Sequence, residues 1–587
     1  MKIKVNKNIL WCDLFTKRLA ELGVKDVCIS AGSRSTPLTL SFNMNKSFSV
    51  YRFVDERSSA FFALGLAKKS KSPVAIVTTS GTAVAELYPA IIEAFYQRIP
   101  LIVCTADRPK FLLGSGANQT INQNNIYKNH IRLFIDAGLP DVKRLQSIYS
   151  IANKSFNVCK YENPGPVHIN FPFEKPFEPD AFTDIVDESE LKIFDKKEPI
   201  SFKQKESKIN FQNLANKLKD KKGLILVGSN GYEKDFPKLL KNFSQQFNFP
   251  IYVDGASSFR LGKLLIGNLI DNFTAIVRSK SFQKYFDPEI ILQFGSAPTS
   301  NVILEFFKNS KAEKILINNF GDYFDPSQTS KKILSINPNK FCSENILTGI
   351  KSESKDWLNN FISMNKIAAS FKNRIIERAD FPFEGRVITE VVFNLPNKAN
   401  LFISNSLPIR DFDFFVSNSK KDISLFTNRG ASGIDGINST AFGIAKKSKQ
   451  PTYLIIGDLA FFHDLNGLYA SLKYKIPLTI ILINNNGGGI FESLPISKYD
   501  EYFKENFVMP LNLDFKDIVK SFGGKFIQIK NWNHFSKELK QTSKSKNLTV
   551  LEIKTDAKKS KLIRNDFWQV VSEQIDNYIN EIKSQRN

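Results

Sequence analysis

With 587 residues the chain is too long for one hydrophobic core and long enough for about three domains. Its 42% apolar content is that of a soluble globular protein; no apolar run reaches the ~18 to 20 residues of a membrane-spanning helix, and the start, Met1-Lys2-Ile3-Lys4-Val5-Asn6, lacks the apolar core of a signal peptide, so a cytoplasmic protein with no membrane partner is expected. The net charge of +23 is spread along the chain without a basic tail, which argues for a solvated surface that attracts small polyanions and against a nucleic-acid partner.

Residues 1–180 read as a first α/β domain. Val27-Cys28-Ile29-Ser30 is a short strand followed by Gly32-Ser33-Arg34-Ser35-Thr36-Pro37, and Val74 to Thr78 is another, ending at Ser80-Gly81-Thr82. A helix over 83–97 leads to the strand Leu101 to Cys104 and the turn Thr105-Ala106-Asp107-Arg108-Pro109. Each polar turn follows a strand, the position of a binding edge in an open parallel sheet. Glu56 precedes an apolar helix over 60–68, where a carboxylate ordinarily serves the helix dipole or a cap.

Residues 181–207 are charge-rich and read as a linker. A middle domain, 208–350, has strands at 223–228, 250–254, 290–295 and 314–317; its Gly228-Ser229-Asn230-Gly231 is a structural turn, lacking a full Gly-x-Gly-x-x-Gly. A charged helical connector, 351–382, leads to a third domain, 383–587, which carries Asn405 to Arg410 and Asn428 to Gly436 and closes with a strand at 550–553 and an amphipathic helix. The first and third domains share a rhythm of strand then polar turn, which suggests distant duplication. The fold class is α/β, three domains with central parallel sheets flanked by helices. The five cysteines form no C-x-x-C pair, so neither a disulfide framework nor a zinc site is indicated.

The densest chemistry lies at Gly457 to Leu494. An apolar strand at 453–456 stops at Gly457-Asp458, and a second at 478–483 stops at Asn484-Asn485-Asn486-Gly487. Leu465, Leu468, Tyr469 and Leu472 between them have helical spacing, so the unit is a β-α-β crossover and Asp458 and Asn485 emerge at one sheet edge. His463 is expected to sit partly buried at the start of that helix. A carboxylate, an amide oxygen and the carbonyl at Gly487 are hard donors of the kind Mg²⁺ takes when it also holds phosphate, and glycines 487 to 489 let a diphosphate approach backbone N–H groups.

This pattern resembles the diphosphate and metal motif of thiamine-diphosphate enzymes, with Leu459 standing where the usual motif has a third-position glycine. Together with Gly32 to Leu38, Asn405 to Arg410, Asn428 to Gly436 and Asn484 to Phe491, it is similar to one branch, the MenD family of 2-succinyl-5-enolpyruvyl-6-hydroxy-3-cyclohexene-1-carboxylate synthases. The resemblance covers essentially the whole chain and implies pyrimidine-binding, middle and diphosphate-binding domains in that order. It implies thiamine diphosphate and Mg²⁺ (or Mn²⁺) as cofactors, 2-oxoglutarate and isochorismate as substrates, a place in menaquinone or phylloquinone biosynthesis, and a homodimer or dimer of dimers. The nearest rival is another thiamine-diphosphate 2-oxoacid decarboxylase or synthase, acetohydroxyacid synthase-like; small neutral acceptors would not need the arginines named below.

By resemblance Glu56 is catalytic, exchanging a proton with the cofactor's pyrimidine. Ser80, Gly81, Ser406, Ile434, Gly457, Asp458, Asn485, Gly487, Ile490 and Phe491 join it in holding the cofactor, with Asp458, Asn485 and Gly487 on the metal. Ser33, Arg34, Arg108, Asn118, Gln119, Ser406, Arg410 and Arg429 are implied to bind the substrates, since arginine suits planar carboxylates. Asn301 stands where the family commonly has a lysine, for which Lys308 is a neighbouring substitute.

Overall fold

The computed structural model describes residues 1–195, 206–229, 231–262 and 268–585. Part of the expected linker, 196–205, and Asn230 of the 228–231 turn lie outside the described residues. The chain folds as two compact units, one of Met1–Gln204, Asn428–Lys449 and Phe462–Ile476, the other of Lys205–Thr427, Gln450–Phe461 and Pro477–Asn587. Among the described residues no helix is long and apolar enough to cross a membrane.

The first unit is built on six parallel strands, β1 (Asp26–Ser30), β2 (Ser49–Arg52), β3 (Val74–Thr78), β4 (Leu101–Asp107), β5 (Leu133–Asp136) and β6 (Val167–Pro172), in spatial order β2-β1-β3-β4-β6-β5. The central strands β1, β3, β4 and β6 are buried along their whole length, which is why they read as continuous apolar runs. A short antiparallel pair, Lys2–Val5 with Asp184–Asp187, gives ordered structure to the start of the charge-rich 181–207 stretch. Cys28 and Cys104, like the other three cysteines, are buried free thiols.

Two helices of this unit, Glu56–Ser70 and Ile437–Lys446, cross at backbone contact. A Cβ on Gly65 would lie 2.1 Å from the Thr440 carbonyl oxygen, and one on Gly443 2.2 Å from that of Phe62. Glycine at both positions therefore sets the closeness of the crossing, and it fixes the helix that begins at Glu56 against the segment that follows Ile434.

The second unit holds two parallel sheets. One consists of β7 (Gly223–Val227), β8 (Ile251–Val253), β9 (Ile290–Phe294), β10 (Glu313–Asn318) and β11 (Ser330–Ser335), ordered β8-β7-β9-β10-β11. The other consists of β12 (Lys398–Ile403), β13 (Asp422–Thr427), β14 (Thr452–Gly457), β15 (Thr479–Asn484), β16 (Lys525–Gln528) and β17 (Thr549–Lys554), ordered β13-β12-β14-β15-β17-β16. This last order repeats that of the first unit's sheet strand for strand, so the shared rhythm of the two ends of the sequence is a shared topology. In each sheet the order reverses beside the first strand, and that crevice, at the carboxyl ends, is where such sheets bind ligands. The charged connector is the helix Asp356–Arg378, and the chain ends on the helix Ala557–Ser584.

The crossover between β14 and β15 departs from the expected single helix. A helix starts at once at Asp458 and stops at His463; a 3₁₀ turn, Leu465–Leu468, and a helix, Tyr469–Tyr474, follow. The break comes from Asp464, which is fully buried and accepts the Ser439 backbone N–H at 2.7 Å and its hydroxyl at 3.0 Å. His463 is thereby exposed at a helix end, correcting the partly buried helix-start position, and Leu472 is half exposed where the apolar spacing put it inside. Asn301 opens and Lys308 nearly closes one helix, Asn301–Asn309, so seven positions at 1.5 Å put them ~10 Å apart along the axis.

Candidate functional site

The edge of β14 and β15 gathers a buried carboxylate, an amide and a glycine loop. Asp458 is 2% exposed and accepts the backbone N–H of Gly487 at 2.7 Å and of Leu459 at 3.0 Å. Burial pushes its carboxyl up to about 6 despite those two donors. The Asn485 side chain donates its amino group to Glu384 at 3.0 Å, while its buried oxygen has no hydrogen-bond partner. Buried acceptors are almost always paired, so an orphaned amide oxygen and a buried carboxyl at the ends of adjacent strands fit a hard cation. Gly487 has φ +140, and a Cβ there would lie 2.2 Å from the Val508 carbonyl oxygen; only glycine lets the loop close at that point. Ile490 and Phe491 follow in the 3₁₀ turn Gly489–Ser493, both half-buried. Among the described residues no group of three or more His, Cys, Asp or Glu gathers around a potential metal position, so this mixed carboxylate, amide and carbonyl set differs from a His- or Cys-based centre.

On the same sheet Ser406 follows β12 with φ +71 and ψ −132, a backbone conformation that costs a non-glycine residue about 1 to 3 kcal/mol. It caps the helix Leu407–Phe415, and Arg410, one turn on, donates to the Ser406 carbonyl at 2.7 Å. Strain at a strand end next to an arginine is the kind of feature that a ligand site maintains. Gly457 closes β14 immediately before Asp458.

In the first unit the structure brings together the turns after β1, β3 and β4. Arg34 donates to the Phe173 carbonyl at 2.7 Å, with its guanidinium 4.8 Å from the centre of the Phe177 ring. Arg108 donates to the Ser80 hydroxyl. Burial, and then the charge of Arg108, hold the Arg34 guanidinium below its ordinary value. Gln119, in a left-handed conformation, packs over Gly81: a Cβ on Gly81 would lie 3.0 Å from Gln119 Cγ. Ser33, Asn118 and Gln119 are exposed at this edge.

Glu56 is the first residue of its helix, behind the cap Asp55, whose side chain accepts the Ser58 N–H at 3.1 Å. Burial raises the Glu56 carboxyl above the usual range, and the neighbouring Asp55 and Glu86 charges add to this against its own backbone hydrogen bond. Arg429 and Ile434 lie on the loop before the helix Ile437–Lys446. Its start is clamped: Glu93, 3% exposed, accepts the N–H of Gly430 at 2.9 Å and of Ala431 at 2.7 Å, and Lys68 donates to Asn428 at 2.6 Å.

Three residues that support these positions escaped the sequence reading. Glu93 reads in sequence as a charge on an amphipathic helix, and Glu384 as an ordinary first-turn carboxylate. Gln123, fully buried, accepts the Gly81 N–H at 3.1 Å and donates to Asn170 at 2.9 Å, and Asn170 in turn donates to Asp107 at 2.8 Å. Only their long-range partners mark them.

Residues 12–126 match the family described as "Thiamine pyrophosphate enzyme, N-terminal TPP binding domain", residues 193–403 "Middle domain of thiamine pyrophosphate", and residues 419–553 "Thiamine pyrophosphate enzyme, C-terminal TPP binding domain". The 2-succinyl-5-enolpyruvyl-6-hydroxy-3-cyclohexene-1-carboxylate synthase of Bacillus cytotoxicus is 36% identical over 561 residues, covering 94% of this chain and 95% of that one. The proteins of the same name from Oceanobacillus iheyensis and Haloquadratum walsbyi are 35% and 34% identical, covering 96% and 97% of this chain and 97% and 99% of theirs. Among solved structures, benzoylformate decarboxylase from Polynucleobacter necessarius superposes with a TM-score of 0.70 at 15% identity, over 93% of this chain and 98% of that one. The thiamine diphosphate-dependent 4-hydroxybenzoylformate decarboxylase of Rhodococcus jostii RHA1 gives 0.69 at 13%, over 93% and 99%. These two likenesses concern the fold alone.

Proposed function

The chain belongs to the 2-succinyl-5-enolpyruvyl-6-hydroxy-3-cyclohexene-1-carboxylate synthase family of thiamine pyrophosphate enzymes, and we propose that it decarboxylates 2-oxoglutarate and joins the succinyl fragment to isochorismate, in the cytoplasm, on the way to menaquinone or phylloquinone. The observation that carries the substrate assignment is the pair Arg34 and Arg108, two neighbouring guanidiniums at one sheet edge. Both substrates bear two carboxylates, and such a pair of cations is completed by an anion.

Thiamine diphosphate, when bound, supplies the carbanion chemistry of the family. Asp458, the free oxygen of Asn485 and the Gly487 carbonyl would hold Mg²⁺, or Mn²⁺, on its diphosphate, with Gly457, Ile490 and Phe491 around it. Glu56 would hold a proton against the ring nitrogen of its pyrimidine, with Ser80 and Gly81 alongside, and Ile434 would support its bent shape. Arg34, Arg108, Arg410 and Arg429 would orient the substrate carboxylates, assisted by Ser33, Asn118, Gln119 and Ser406. Purified protein mixed with thiamine diphosphate, Mg²⁺, 2-oxoglutarate and isochorismate is expected to form the adduct detectable by mass. Release of CO₂ from 2-oxoglutarate with no adduct would reject the acceptor.

The active assembly is proposed to be a homodimer or a dimer of dimers, with Glu56 and Asp458 of one cofactor site drawn from different chains. Mixing inactive Glu56→Gln with inactive Asp458→Ala protein then yields mixed dimers with one doubly defective site and one intact site. Partial return of activity is expected; none, despite demonstrated subunit exchange, would place both residues of a site on one chain.

A further inference from the structure

Behind the cation cradle of the second unit lies a buried charged network that the family motifs do not include. Glu384, 1% exposed at the first position of the helix Glu384–Asn394, accepts three side chains from distant parts of the chain. One oxygen takes the Asn485 amino group at 3.0 Å and the Thr555 hydroxyl at 2.9 Å; the other takes Arg564 at 2.5 Å. Arg564 also binds Asp411, at 2.7 Å through Nε and 2.5 Å through Nη2, so one buried guanidinium holds two buried carboxylates. Arg564 has only donors to offer, so the Glu384 oxygen it meets accepts, and the other Glu384 oxygen accepts from Asn485 and Thr555.

A carboxylate whose two oxygens both accept has no donor to offer the Asn485 oxygen. Glu384 therefore decides which way round the Asn485 amide stands: the amino group must face Glu384, and the oxygen must face away from it. That oxygen is the buried atom without a partner. We propose that Glu384, held by Arg564 and Asp411, is a positioning residue that keeps the Asn485 amide oxygen directed at the cation rather than back into the protein. The proposal rests on the cation assignment made above and adds to it the group that sets the ligand's orientation.

Glu384→Gln is the informative variant because its shape is unchanged while its amino end must confront either Arg564 or the Asn485 amino group, both donors. Thiamine diphosphate binding is measured by calorimetry across a Mg²⁺ series for the parent protein, Glu384→Gln, Asn485→Ala and the double variant. Glu384→Gln is expected to raise the half-saturating Mg²⁺ concentration at least tenfold, and the double variant to need no more Mg²⁺ than Asn485→Ala alone, because Glu384 acts through that side chain. Additive increases would assign Glu384 a merely structural role and overturn the proposal, as would an unchanged Mg²⁺ requirement in Glu384→Gln when Asn485→Ala raises it. An Asn485→Ala protein with the parent's Mg²⁺ requirement would overturn the cation assignment itself. Should Glu384→Gln not fold, Glu384→Asp, which keeps the charge for Arg564 but withdraws from Asn485, is expected to raise the Mg²⁺ requirement in the same direction.

Discussion

Glu56→Gln is expected to lower turnover by about 10²- to 10⁴-fold, the range of a positioned acid–base group, while thiamine diphosphate affinity stays within a few-fold of the parent's. Glutamine keeps the length and a hydrogen-bonding end but cannot give up or take up the proton. The setting of Glu56 fits the proposed exchange: it opens a helix, is half-buried, and has Asp55 and Glu86 near enough to disfavour its charge. Its carboxyl thus holds a proton to higher pH than a surface glutamate. The acidic limb of the parent's pH–rate profile is expected above the ordinary glutamate value of 4.5 and to vanish in the residual activity of the variant. The helix is held at Gly65 and Gly443, so an unchanged far-ultraviolet spectrum should accompany the loss. Near-parental turnover in Glu56→Gln would remove the residue from the proton path.

How far the sequence disclosed this arrangement depended on the range of the interactions involved. The central strands β1, β3, β4, β12, β14, β15 and β17 are legible because both faces are covered and each carries a run of apolar residues. Strand β6 is just as buried, yet its His168 and Asn170 disguise it; their polarity is accounted for by Thr105, which lies 2.7 Å from His168 Nε2 and donates to Asn170 at 2.9 Å. Five of the six edge strands, β2, β5, β11, β13 and β16, are partly exposed and carry weak patterns, whereas the sixth, β8, is buried and reads as an apolar run. The cradle was legible where its residues are close in sequence, as at 484–489. Its support was not, because Glu384 and Arg564 are 180 positions apart and each alone is an ordinary charged helix residue. Consecutive domains also obscured that Asn428–Lys449 and Phe462–Ile476 pack with the first 204 residues, a consequence of glycine contacts and of the Glu93 clamp on Gly430 and Ala431.

Asp458→Ala is expected to abolish most of the thermal stabilisation that thiamine diphosphate with Mg²⁺ confers, and to do so without unfolding the cofactor-free protein. The two halves of this expectation have separate causes. In the cofactor-free state Asp458 is a buried carboxylate raised from 3.8 to about 6, equivalent at 1.36 kcal/mol per tenfold to about 3 kcal/mol against its charged form. The sign follows from linkage: the folded protein binds this proton more readily than the unfolded chain, so this contribution to cofactor-free stability rises as pH falls from about 6 towards 4 and is lost as pH rises through about 6. At neutral pH alanine relieves that cost, which is already net of the hydrogen bonds from Gly487 and Leu459, but leaves those two N–H groups without their acceptor at about 1 to 3 kcal/mol each, so the two effects offset one another. In the loaded state nothing cancels. The carboxylate is the one anionic protein donor of the proposed cation set, and its removal would leave an amide oxygen and a carbonyl to anchor the metal on the diphosphate. A hundredfold loss of affinity would cut ligand stabilisation by about 2.7 kcal/mol at saturating cofactor. Melting curves of both proteins, with and without thiamine diphosphate and Mg²⁺, measure the two halves independently. Equal cofactor-induced shifts in parent and variant would exclude Asp458 from the metal site, whatever the cofactor-free curves do.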